Sequence, residues 1–191
     1  MRKIMYFVML VFLSITSVSC DSLSISDKGD IVEIQKIIDE SFRDEAEVYD
    51  LTISAEHLSN ELKRIGRTYK VEKENFYNFY NHFNKKVSNP IKTKIAYGRT
   101  TTFKIKDINL SIIPEKYKAA IDILRDKKIL KLDEEYPLSS WSFKVDDRGE
   151  MYSEFNLDYY IGSSSQGRTK KTTYSSYKFK VDSNNKVLFI K

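Results

Sequence analysis

The chain is poor in the residues that most often carry chemistry or interrupt regular structure. Its 191 residues include one cysteine, two histidines, one tryptophan, three prolines and six glycines. A single cysteine excludes an intrachain disulfide, so packing has to supply the stability, and the chain is long enough for a real core. The histidines, His57 and His82, have no partners at a zinc-ligand spacing, which argues against a metal site. Scarce glycine and proline argue against a disordered or repeat-rich product. No Gly-x-Ser-x-Gly elbow surrounds a serine, and Gly162 and Gly167 do not form a phosphate-cradling run before a helix. The carboxylate groups at Asp133-Glu134-Glu135 and Asp146-Asp147 suit turns and solvated faces better than acid–base work. The sequence therefore predicts no catalytic residue, no metal ligand and no cofactor.

Long apolar runs are also missing, with one exception at the start. Arg2 and Lys3 precede an uncharged apolar stretch, Ile4 to Leu13, which continues more weakly through Ile15 and Val18. The stretch is short for a bilayer span and passes at once into small polar residues, which is the layout of a secretory signal. It ends at Ser17-Val18-Ser19-Cys20, with the only cysteine directly after a small residue. This segment resembles the signal and lipobox of bacterial lipoprotein precursors, although Ser17 stands where an aliphatic residue is usual. The resemblance covers the signal alone and not the domain behind it. It implies removal of residues 1–19, lipidation of Cys20, attachment to a membrane of the bacterial envelope and a domain facing the periplasm. An exported protein with one unmodified thiol would be unusual, which favours the lipidated form.

With Arg2 and Lys3 taken from the 32 basic residues, 30 stand against 27 acidic ones. Such a balance gives no reason to expect a nucleic-acid or membrane-surface binder from overall charge. Residues 20–29 are rich in serine and are expected to be a flexible spacer, followed by one domain over 30–191.

Helical periodicity runs over 30–43, where Ile31, Ile34, Ile38 and Phe42 share a face and Asp27 or Asp30 can cap the start. Two more helices are expected, over about 54–65 (Ala55, Leu58, Leu62, Ile65) and 72–87 (Phe76, Phe79, Tyr80, Phe83, Val87). Past Pro90 the period becomes two, predicting a hairpin over 91–106 and a strand through Ile108, Leu110 and Ile112. Pro114 is placed to open a helix bearing Tyr117, Ala120, Ile121 and Leu124, and Ile129 to Leu132 would add a short strand. Alternation is clearest in the last third, over 141–145, 151–161, 173–181 and 187–190, with a Ser-rich loop over 162–167. Phe-Lys-Val-Asp occurs twice, at 143–146 and 179–182, each time before a turn. The whole is α+β: N-terminal helices, then a mainly antiparallel, curved sheet with one inserted helix. The order of elements is compatible with cystatin-like or NTF2-like cones.

One stretch is locally biased in charge. Arg168, Lys170, Lys171, Lys178 and Lys180 are interleaved with Tyr174 and Tyr177 and no acid, a composition suited to a strand whose outer lysines discourage edge pairing, or to binding an anionic polymer, an acidic protein face or lipid headgroups. These seven residues are the candidate interaction surface, with Tyr152 and Tyr160 beside them. The function expected is a membrane-anchored, non-enzymatic binding module, such as an inhibitor or immunity-type protein acting on an envelope or exported partner. The alternatives are a cone binding a small ligand near Phe79, Phe83 and Tyr159, and a carboxylate-dependent hydrolase.

Overall fold

The structure is a computed structural model that describes residues 22–43, 46–95, 101–130, 134–167 and 169–190, the side chains of Gln166 and Lys170 excepted. The signal segment and Cys20 lie outside the described residues.

Helix α1 spans Lys28–Ser41 and buries Ile31, Ile34 and Ile38. The Asp27 carboxylate caps it, accepting from the backbone N–H groups of Gly29 at 2.7 Å and Asp30 at 3.2 Å. Loss of this cap in Asp27→Ala is expected to cost about 1 kcal/mol, measurable by urea denaturation.

Part of the expected spacer proves to be structural. Ser24 bridges to Glu61, Ile25 N–H donates to Asn60 O at 2.8 Å, and Leu62 N–H donates to Leu23 O at 2.7 Å. Ile25 is completely buried. Serines 22, 24 and 26 alternate with Leu23 and Ile25, so the segment is a half-buried extended stretch whose polar members dominate its composition.

Residues 47–81 form three strands where two helices were expected: β1 (Glu47–Ala55), β2 (Leu62–Val71) and β3 (Glu74–Asn81), paired antiparallel in sequence order. The hairpin expected over 91–106 also does not form. Of the short strands β4 (Lys86–Val87), β5 (Ile91–Lys92) and β6 (Phe103–Lys104), the first two pair with β3 and the third with β1. Residues 96–100, the expected turn, lie outside the described residues. Ile108 and Leu110 are buried in a loop and not in a strand. Helix α2 (Ile112–Asp126) starts two residues before Pro114 and buries Ile113, Ala120 and Leu124. Ile129 and Leu130 are not in a strand, and 131–133 are outside the described residues.

The last four strands follow the alternation: β7 (Leu138–Val145), β8 (Met151–Gln166), β9 (Thr169–Val181) and β10 (Val187–Phe189). The Ser-rich stretch expected as a loop continues β8 instead, because Gly162 to Gln166 pair with Thr173 to Thr169 and the chain reverses at Gly167, φ +60°. The repeated Phe-Lys-Val-Asp makes the same turn twice. Asp146 accepts from the N–H groups of Arg148 and Glu150, and Asp182 from those of Asn184 and Lys186, at 2.9–3.0 Å. Gly149 and Asn185 occupy the matching left-handed position.

The result is an α+β, mostly β fold: two helices and an open ten-stranded sheet ordered β10-β9-β8-β7-β1-β2-β3-β4, with β5 and β6 added at its margins. A helix followed by an antiparallel meander occurs twice, and the two halves join through β1 and β7. Burial alternates along both of these strands, so one face of the sheet packs with the helices and the other is half-exposed. No helix among the described residues is long and apolar enough to cross a membrane.

Candidate functional site

The half-exposed face is built from small polar side chains. At the seam of the two halves Thr52 and Ser142 share a hydrogen bond of 2.8 Å, and Asn156 Nδ2 donates to Ser140 Oγ at 3.0 Å. Farther along, Lys144 is paired with Glu154, and Lys180 Nζ lies 4.3 Å above the Tyr152 ring.

At one end of this face lies Asp158, which is 1% exposed although its strand position points outward. A β-bulge between Leu138 and Ser140 turns Ser139 toward it. Asp158 Oδ1 accepts from Ser139 Oγ at 2.7 Å and from Ser176 Oγ at 2.6 Å. Its Oδ2 lies 3.1 Å from His57 Nδ1. A carboxylate only accepts, so Nδ1 carries the hydrogen and Nε2 is left outward. His57 reaches Asp158 from the β1–β2 turn, and its ring stacks on Tyr174 at 4.0 Å between centroids. The carboxylate and the tyrosine thus hold the imidazole in one orientation.

A buried carboxylate behind an imidazole is the orienting half of an acid–base pair. Among the described residues, no hydroxyl or thiol is bonded to Nε2, because the two serines bind the carboxylate instead. No group of three His, Cys, Asp or Glu side chains is arranged to hold a metal among the described residues. What the arrangement offers is a rigid polar and aromatic surface.

The sequence-predicted surface is divided by the strand. Tyr174, Lys178 and Lys180 share the outer face with Asp158, whereas Tyr177 turns to the helix side and stacks on Tyr159 at 4.5 Å. Lys171, on the helix-side parity of β9, is exposed in the long β8–β9 ribbon. Arg168 and the side chain of Lys170 lie outside the described residues. The three aromatic residues named for a ligand cone have separate surroundings: Phe79 beside Tyr77, Tyr159 on Tyr177, and Phe83 exposed. The acids read as turn and surface groups are placed so, Asp146 in its turn and Glu134 accepting from Tyr136 OH at 3.1 Å. Asp133 is outside the described residues. Sequence reasoning missed His57 with Asp158, since 101 positions separate them.

A groove of about 830 Å³ lies between α1 and the β3–β4 turn, lined by Ser22, Leu23, Glu40, Tyr80, His82 and Lys85 among others. Burial raises the Tyr80 phenol above its ordinary pKa of 10.0, with Lys85 opposing and Glu40 assisting. Burial raises Tyr117 likewise, helped by Glu135 and opposed by a hydrogen bond from Asn60. Below pH 10 both phenols are neutral in the folded and unfolded chains. Above it the unfolded chain ionises first, so stability falls as pH rises through the folded values. Tyr117→Phe should flatten that alkaline loss, as read from denaturation midpoints on either side of pH 10.

The chain matches no protein-family profile and no curated protein sequence. Among solved structures it is loosely similar to a crystal structure assigned as a lipoprotein of Clostridium difficile, at 14% identity and a TM-score of 0.40, covering 89% of this chain and 93% of that one. A score that low does not define a shared fold.

Proposed function

We propose that the protein is a bacterial envelope lipoprotein, anchored through Cys20, which acts without catalysis as a binding module for an envelope or exported protein. The observation that carries the address is the export segment itself: two cations, an apolar run, and the only cysteine at its end. Lipid chains bury about 0.8 kcal/mol per methylene, and two or more give stable attachment where one does not. The binding half is supported by the outer face, where Tyr174 stacks on His57 and Lys178, Lys180 and Tyr152 follow along the same face. An inhibitor or immunity-type role is its narrower form.

Cys20→Ala, or globomycin treatment of the wild type, should leave an unprocessed precursor and shift the mature protein out of the lipoprotein fraction. Normal processing and unchanged membrane partition would remove the lipid anchor from the proposal. For the partner, cross-linking in intact envelopes should recover one protein with the full chain and lose it in Lys178→Glu/Lys180→Glu. The oriented imidazole favours acid–base hydrolysis as a second reading. Ester turnover abolished by His57→Ala would replace the binding role.

A further inference from the structure

We infer that one end of the sheet is a membrane-docking surface, on which the β8–β9 ribbon lies against anionic lipid headgroups. The inference rests on the Cys20 anchor proposed above and asks where that anchor leaves the domain. Leu23 is fixed to the body by its carbonyl, which accepts from Leu62, and the next position but one, Ile25, is completely buried. Between Cys20 and Leu23 only three residue steps remain, a reach of about 10 Å at roughly 3.5 Å per step. The exit point is therefore held close to the bilayer.

Register places two other features at the same end. Leu62 pairs with Ala55 at the end of β1, and β7, which runs antiparallel to β1, begins here at Leu138 opposite Leu157. Beyond Asp158, whose N–H still donates to Pro137 O at 2.9 Å, β8 continues to Gln166 paired only with β9. At about 3.3 Å per residue this ribbon extends roughly 25 Å past the sheet. It outreaches the tether more than twofold. An upright ribbon on the bilayer side would have to push serines, threonines and lysines into hydrocarbon, so it settles along the surface instead. Its composition fits: from Tyr159 to Ser176 the sequence has three cations, Arg168, Lys170 and Lys171, and no acid. Headgroups of anionic lipids attract such segments.

On the other side of Leu23, the β3–β4 turn closes the same groove. Asn81 Oδ1 accepts from Phe83 N–H at 3.0 Å, which fixes the turn with Phe83 70% exposed. The groove itself carries Asp30, Glu33 and Glu40 beside Lys36 and Lys85, so this side has no net attraction for anions. Its contribution is apolar, through Phe83 at the interface.

The test uses the full lipidated chain, in which the Cys20 thiol is blocked, with single cysteines at Ser164, Phe83 or Asp147 carrying an environment-sensitive fluorophore. Asp147 lies in the β7–β8 turn at the opposite end of the sheet. In vesicles containing phosphatidylglycerol, shallow spin-labelled lipid should quench positions 164 and 83 at least twofold more than 147. Lys170→Glu/Lys171→Glu or high salt should release position 164 and leave 83 in place. If the protein floats with vesicles while position 164 stays as unquenched as 147, the docking surface is wrong and the ribbon is left for a protein partner. If the wild-type chain does not float and its Cys20 reacts with maleimide, the anchor fails and the inference with it.

Discussion

Trp141→Ala is expected to destabilise the domain by about 3–5 kcal/mol, as large-to-small changes at fully buried aromatic positions do. Trp141 is completely buried and begins a ladder of aromatic rings that crosses four strands in register. It stacks on Phe155 at 4.6 Å, Phe155 on Phe179 at 5.1 Å, and Phe179 meets Phe189 at 5.2 Å. Removing the first ring empties one side of Phe155 and leaves a void that strands on either side cannot close without breaking register. Trp141→Phe should behave differently. The indole Nε1 is buried without a hydrogen-bond partner among the described residues. Phenylalanine keeps a ring in the ladder while deleting that unsatisfied donor, worth about 1–3 kcal/mol, which offsets the lost volume. Equilibrium unfolding in urea should therefore place Trp141→Phe within about 1 kcal/mol of wild type. A large loss for phenylalanine would mean that shape, and not ring stacking, decides this position.

The ladder also shows which parts of the fold are legible in the sequence. From Leu138 to Leu157 and from Tyr177 to Phe189 the inward residues are mostly apolar and the outward ones mostly polar, so period-two alternation is plain and the two Phe-Lys-Val-Asp turns repeat it. Helix α1 is equally readable, because its isoleucines recur at three and four and Asp27 precedes them. The alternation fails in β2 and β3 for a specific reason. Inward positions Ile65, Arg67 and Tyr69 face Tyr80, Asn78 and Phe76. Arg67 is 2% exposed, bonds Asn78 through Nε at 3.0 Å and lies between the rings of Phe42 and Tyr69. A polar pair in the middle of the core breaks the inward apolar run. Tyr77 and Phe79 on the other face supply apolar residues at helical spacing. The helix expected over 72–87 comes from that substitution of signals, and the one over 54–65 from Ala55, Leu58, Leu62 and Ile65, which fall at helical spacing across the β1–β2 turn. The site is illegible for a different reason: His57, Ser139, Asp158 and Ser176 come from a turn, a bulge and two strands. Only pairing register brings them together.

Asp158→Ala should cost about 2–4 kcal/mol, the second large effect expected in this domain. The substitution strips the hydrogen-bond acceptor from Ser139, Ser176 and His57 at once. Ser139 has a substitute, since its hydroxyl already lies 3.3 Å from Asn156 O. Ser176 has none among the described residues, and His57, 60% exposed through its side chain, can turn to water. The loss therefore comes mainly from the two serine hydroxyls and the emptied space, and little from the exposed end of the histidine pair. That partition makes the roles separable. Asp158→Asn keeps an oxygen for the serines and should cost about 1–2 kcal/mol. His57→Ala removes only the turn's contact and should cost under about 1 kcal/mol. If the outer face is a binding surface, His57→Ala with Tyr174→Ala should weaken partner capture far more than it lowers the unfolding midpoint. Should binding and stability fall together across Asp158→Asn, His57→Ala and Tyr174→Ala, the cluster only fastens the β1–β2 turn to β8. The partner surface would then have to lie elsewhere on the sheet.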